Sequence, residues 1–123
     1  MTLEEIIQRV DAVKLNAFPV EIKLAWLGEL DGKLALEVLR MHSSEAQQFR
    51  YGAEQLHYKP LVAFPHDSLY DAWLYAKIDL ANGEMDRYAN SMALFEGLYK
   101  KFVVWFLTFY DPAHGYEEVS NGV

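Results

Sequence analysis

An all-α, four-helix bundle-like domain is the fold class this sequence predicts, on three observations. Apolar residues recur at helical spacing in four separate stretches. Capping and stop signals bracket those stretches. Hydrophobic residues make up 52% of the 123, enough to bury the core of one compact domain and too many for wholesale disorder. The expected organisation is one helical domain over residues 1–111. A long, partly extended loop at 43–66 separates the second and third helices, and a disordered tail follows at 112–123.

The first helix is expected to start at Thr2. In Thr2-Leu3-Glu4-Glu5 a hydroxyl stands at the N-cap and a carboxylate three residues on, each able to accept from a free amide. Leu3, Ile6, Ile7, Val10 and Val13 then form one apolar stripe, and the helix fades by Leu15-Asn16.

The second helix is expected from Pro19 to about Met41. A proline suits the first helical position because its missing amide hydrogen is not needed there. Leu24, Leu27, Leu34, Val38 and Met41 share a face, with Ala35 beside them. Glu29 and Lys33 stand four apart on the other side. Gly28 and Gly32 lie inside this helix, each costing about 1 kcal/mol relative to Ala. Either they are simply tolerated or their shared side admits a neighbouring backbone.

Residues 43–66 break the helical pattern. Ser43-Ser44 stop the helix, Gly52 permits a turn, and Pro60 and Pro65 forbid continuous helix; Leu61-Val62-Ala63-Phe64 reads as extended, a candidate short strand. At about 24 residues the connection is far longer than most in compact domains. It carries Phe49, Tyr51, Leu56 and Tyr58, so it is expected to dock, on its own domain or on a neighbour.

The third helix is expected to begin at Asp67 or Ser68, both good caps, with Asp71 complementing the helix dipole. Leu69, Tyr70, Trp73, Leu74, Ile78 and Ala81 make its apolar face, and Asn82-Gly83 stops it sharply. The fourth helix runs from Glu84 to about Tyr110, where Asp111-Pro112 ends it. Tyr88, Met92, Phe95, Tyr99, Phe102 and Phe106 form its seam, widened by Leu94, Leu98 and Trp105. The hairpin turn brings Asp79 towards Arg87, with Asn90 one turn on. A polar cluster of Asp79, Arg87 and Asn90 is expected to lock the hairpin angle, a structural role.

Little here points to catalysis. Cysteine is absent, which removes disulfides, thiolate metal sites and thiol nucleophiles. His42, His57, His66 and His114 share no helical i, i+3 or i+4 spacing with one another and fall in no metal motif. His66-Asp67 with Asp71 nearby reads as a helix cap preceded by a polar residue. Glu4-Glu5 suits an initial helical turn, and Glu117-Glu118 lies in the expected tail. No phosphate loop, nucleophile elbow or dinucleotide fingerprint is present. The expectation is a non-enzymatic protein with no catalytic, cofactor-binding or metal-binding residues and no cofactor. A ligand cavity lined by Tyr88, Tyr99 and Trp105 is the enzymatic alternative.

A formal net charge of −7 lacks the basic footprint of a nucleic-acid binder. The longest apolar run, Phe102 to Tyr110, falls well short of the roughly 20 residues that span a bilayer. The acidic N-terminus is unlike a signal peptide. Neither a nucleic-acid nor a membrane partner is expected.

The segment Asp79-Leu-Ala-Asn-Gly-Glu-Met-Asp-Arg-Tyr-Ala-Asn-Ser-Met-Ala-Leu-Phe95 resembles a family of small proteins of phages and prophages of Gram-positive bacteria, often encoded among the head genes. The likeness extends to Phe64-Pro65, Leu69-Tyr70-Asp71, Asn16-Ala17-Phe18 and Lys23-Leu24-Ala25-Trp26-Leu27. The family looks like the head–tail connector (adaptor) proteins of long-tailed phages, helical bundles with a long inserted loop. The resemblance implies a ring homo-oligomer, typically a dodecamer on assembly, beneath the portal at the virion neck, built in the host bacterial cytoplasm. It implies that the loop from Ser43 to Pro65 contacts the portal, another neck protein or the adjacent subunit, with Phe49, Arg50, Tyr51, Leu56 and Tyr58 as candidate contact residues. The alternative from the residues alone is a small regulatory or adaptor protein that binds one partner through the same loop.

Overall fold

A computed structural model of the chain describes residues 1–109 and is helical throughout its ordered elements. In order these are α1 (Leu3–Val13), α2 (Val20–Glu37), α3 (Ser43–Ala46), α4 (Ser68–Ala81) and α5 (Met85–Phe109), with two 3-10 turns at Gln47–Phe49 and Ala53–Gln55. The fold class is therefore all-α, while the long loop contributes a fifth, one-turn helix that the apolar periodicity does not reveal. The Asp111-Pro112 stop and the tail at 112–123 lie outside the described residues.

α1 begins as its capping box dictates. Thr2 Oγ1 accepts from the Glu5 amide at 3.2 Å and Glu5 Oε1 accepts from the Thr2 amide at 2.9 Å. Two further amides of the first turn go to the long loop, Leu3 N–H to the Tyr58 carbonyl (2.9 Å) and Glu4 N–H to that of Leu56 (3.0 Å). Leu3, Ile6, Ile7 and Val10 are buried, whereas Val13, the last residue of the expected stripe, is exposed.

The turn into α2 is built by Asn16. Its side chain donates to Asp11 (2.9 Å) and accepts from the Phe18 amide (3.2 Å) and the buried Lys23 ammonium (3.1 Å), which also pairs with Asp11 at 2.8 Å. Pro19 is the N-cap of α2. Leu24, Leu27, Leu30, Leu34 and Ala35 fill the core. α2 ends at Glu37, earlier than the apolar pattern suggests, because Arg40 adopts a left-handed backbone (φ +58°) and Met41 N–H returns to the Ala35 carbonyl at 2.9 Å. That αL reversal satisfies carbonyls a longer helix would have used internally.

α4 and α5 form an antiparallel hairpin: Asp79 meets Ser91, Trp73 meets Phe95 and His66 meets Phe102. Gly83 takes φ +71° at the turn, as expected for the residue after a helix end. Tyr70, Leu69, Leu74 and Ile78 of α4 are completely buried. The α5 seam is narrower than expected: Phe95, Phe102 and Phe106 are buried, Met92 and Tyr99 partly so, and Leu94 faces out. No helix among the described residues is long and apolar enough to cross a membrane.

Candidate functional site

The long loop is fastened to the bundle by one buried carboxylate. Asp31 lies within the apolar face of α2 and is fully enclosed. Its Oδ2 accepts from the Tyr51 hydroxyl at 2.6 Å and the Leu61 amide at 3.2 Å, and its Oδ1 accepts from the Tyr70 hydroxyl at 2.5 Å. Tyr70 in turn accepts from the Val62 amide at 2.8 Å. Five groups from α2, α4 and both arms of the loop thus share one network. It explains why residues 61–64 form no strand: the amides of Leu61 and Val62 are bound by side chains, where a strand would offer them to a neighbouring chain segment.

Gly28 makes the second fastening. A Cβ built there would lie 2.3 Å from the Phe49 carbonyl oxygen and 3.0 Å from the Tyr51 amide nitrogen. Of the two readings open for this glycine, close backbone approach is the one realised. Gly32 is different, since a Cβ there meets nothing within 4 Å.

Burial governs the electrostatics. Desolvation pushes the Asp31 carboxyl up to about 6, although Tyr51, Tyr70 and the Leu61 amide all favour its charged form. Burial, then the Asp31 charge, raises both tyrosine hydroxyls above their ordinary range. Asp31 and Tyr70 are 0% exposed, and the trio holds the loop on the bundle.

The candidate contact residues divide accordingly. Phe49 and Tyr51 are buried in their own domain, packed edge to face at 6.3 Å. This corrects their assignment as partner contacts, because the core takes the apolar surface a partner would need. Leu56 is half-buried, its carbonyl holding α1. Arg50 and Tyr58 point outward, joined by Phe64 shortly before α4, 82% exposed. Phe64 was legible in the sequence as part of an expected strand, and nothing in its spacing marked it as exposed.

The polar cluster expected at the hairpin is also redrawn. Asp79 is buried and held by the Ser91 hydroxyl at 2.9 Å and the Lys14 ammonium at 2.7 Å. Arg87 stays on the surface with Glu84 at 3.1 Å, and Asn90 is exposed. One residue of the trio locks the hairpin, and its partners come from α1's C-cap and the next position of α5. Helical phase explains the difference: Ser91, not Asn90 or Arg87, shares the inward side of α5 with Phe95 and Phe102.

His66 and its neighbours behave as a helix start. Asp67 is the N-cap of α4, and Arg9 of α1 reaches Asp71 at 2.5 Å and Asp67 at 3.8 Å. The His66 ring lies 4.7 Å from Trp105 and 5.8 Å from Phe102, and burial lowers its pKa. Tyr99 packs beside Phe95 at 5.6 Å, so this ring and Trp105 spend their faces on packing. Among the described residues no group of three or more His, Asp or Glu is placed to hold a metal ion.

No family model, curated protein or solved structure matches the chain.

Residues of the 16–27 and 79–95 segments have concrete structural work in this fold. Asn16 and Lys23 build the α1–α2 turn, and Phe18 stacks edge-on to Trp26 at 5.4 Å. The Trp26 carbonyl accepts from Trp73 Nε1 at 2.7 Å, and Asp79 with Gly83 sets the hairpin.

Proposed function

We propose that the chain is a structural virion protein, a head–tail connector (adaptor) subunit of long-tailed phages of Gram-positive bacteria. Its copies form a ring, a dodecamer on assembly, beneath the portal and join head to tail by binding alone. The reading rests first on the resemblance of the hairpin segment 79–95. The structural observation that supports it best is the double fastening of the long loop, at Asp31 and at Gly28. A loop held this way presents Arg50, Tyr58 and Phe64 on a preorganised surface, which lowers the ordering cost of docking on a portal or neck protein.

The acidic balance suits the role, since a wall of negative charge around a DNA passage repels the duplex and leaves it free to move. On this reading the protein assembles in the bacterial cytoplasm and resides in the virion neck. Quantitative mass spectrometry and immunogold labelling of purified particles test it. Labelling at the neck in a fixed copy number is expected. Absence from particles, with a one-to-one complex on a non-virion protein, would replace it with the regulatory-adaptor reading.

A further inference from the structure

α5 is the least enclosed long helix of the fold. It has 25 residues yet buries only Phe95, Phe102 and Phe106, while the 18-residue α2 buries eight. Val104 lies two residues from both Phe102 and Phe106, hence about 200° round the helix from them. On that reverse side runs a shallow apolar trough of about 450 Å³, lined by Gly97, Lys101, Val104 and Phe109 among others. Val104 and Phe109 are both more than half exposed.

Lys100 and Lys101 stand along the same trough and are the one adjacent pair of basic residues in the sequence. Both are exposed. Arg9, Lys14, Lys23, Lys33, Lys77 and Arg87 each reach a carboxylate. Lys100 and Lys101 pair with none among the described residues, not even with Glu96 on the same helix. On a chain of net charge −7, an apolar trough edged by two uncompensated cations selects an occupant with carboxylates beside a large apolar side chain.

A segment of that chemistry follows α5 directly. Residues 110–119 read Tyr-Asp-Pro-Ala-His-Gly-Tyr-Glu-Glu-Val and contain no Lys or Arg. Glu117-Glu118 is one of two adjacent acidic pairs in the chain. The other, Glu4-Glu5, sits in the first turn of α1, where Glu5 closes the capping box. The reach is sufficient. Lys101 lies eight residues back from Phe109, about 12 Å along the helix. Glu117 lies eight residues on, and that length of chain spans up to about 26 Å when extended. The surplus admits a reversal, for which Asp111-Pro112 and Gly115 are suitable residue types. From Val104 to Lys101 is about 4.5 Å of helix, a step that one or two extended residues cover. Tyr116 therefore arrives at Val104 when Glu117-Glu118 arrive at the lysines.

We propose that residues 110–119 fold back on α5 of their own chain, with the Tyr116 ring seated at Val104 and Glu117-Glu118 on Lys100 and Lys101. The contact covers the apolar reverse side of the helix and neutralises its two cations, so this face is withheld from other chains until the segment is displaced. The inference does not depend on the connector reading. The same segment of a second copy is the weaker occupant, since a tethered segment has an effective concentration on the order of millimolar. A lipid surface is weaker too, because two lysines on an acidic protein supply little attraction to anionic headgroups.

The absence of native cysteine permits a direct test on the full-length protein. Val104→Cys reports on the trough, and Asn90→Cys, exposed on α5 outside it, serves as the control. Helicity and thermal stability of each are first matched to wild type, and the rate of thiol labelling by a small neutral maleimide is then measured. Adding Tyr116→Ser is expected to speed labelling of Val104→Cys at least about fivefold by uncovering the site, and to leave Asn90→Cys unchanged. Adding Glu117→Lys with Glu118→Lys is expected to do the same. Introducing Lys100→Glu and Lys101→Glu into that last protein is expected to restore the slow rate.

Labelling of Val104→Cys that ignores the Tyr116 and Glu117-Glu118 substitutions would overturn the proposal. So would failure of the charge exchange to restore the slow rate. Protection that grows with protein concentration would assign the face to a second copy, with the same consequence. An equal rise at Asn90→Cys would show general loosening of α5 in place of a released segment, and would also overturn it. The virion test above decides the connector reading separately.

Discussion

The Tyr51 hydroxyl donates to Asp31 at 2.6 Å, tying the middle of the long loop to the middle of α2 across 20 residues of sequence. Because the acceptor is a buried carboxylate with no solvent to replace a lost donor, each donor matters more than an ordinary surface hydrogen bond. Tyr51→Phe is expected to destabilise the fold by about 1–3 kcal/mol. Tyr70→Phe is expected to cost more, since it also strips the Val62 amide of its acceptor. Urea denaturation of the two variants and their double mutant checks this. A strongly non-additive cycle is expected, because both act on one carboxylate.

The same carboxylate sets a pH dependence. Its folded pKa, raised to about 6 by burial, stands above the ordinary 3.8. In the window between the two, the unfolded chain ionises Asp31 while the folded chain keeps it protonated. The stability this group contributes is therefore present below about pH 4, lost as pH rises to about 6, and constant above. Two units correspond to at most about 3 kcal/mol. Asp31→Asn cannot titrate, so the stability difference between wild type and this variant should shrink from pH 4 to pH 6 and then stay flat. A difference that grew over that window would show the opposite sign.

The two glycines of α2 should respond in opposite directions. Gly28→Ala places a methyl 2.3 Å from the Phe49 oxygen and forces the loop away, so a loss of at least about 2 kcal/mol is expected despite the better helix propensity. Gly32→Ala meets open space and is expected to gain up to about 1 kcal/mol in the isolated chain. Thermal melts of the two variants decide the matter.

At the hairpin, Arg87→Ala should leave stability within about 0.5 kcal/mol of wild type, because its pair with Glu84 is exposed. Ser91→Ala should cost about 1 kcal/mol or more through the buried Asp79. Equal effects from the two would restore the expected Asp79–Arg87–Asn90 cluster.

Local chemistry made much of the fold readable. Thr2 and Glu5 mark the start of α1, Gly83 the hairpin, and the apolar spacing of α1 and α2 the core faces. Gly28 was readable as a site of close approach, though nothing nearby separates it from Gly32. Long-range pairing was not readable. Asp31 stands where an apolar residue would continue the stripe of Leu27 and Leu34, yet its partners lie 20, 30 and 39 residues away. A lone acid in an apolar stripe is the one signal that could have pointed to it. The end of α2 was missed because Arg40 enters the left-handed region without being glycine or asparagine. Phe49 and Tyr51 looked like outward anchors because an aromatic residue in a long loop reads the same whether it packs inward or outward.

On the connector reading proposed above, deletion of the gene from its parent genome, followed by electron microscopy of the phage lysate, tests that role most directly. The account predicts complete tails lying beside unjoined or leaking heads, with infectivity restored when the intact gene is supplied in trans. Normal, infectious, fully joined particles would contradict it.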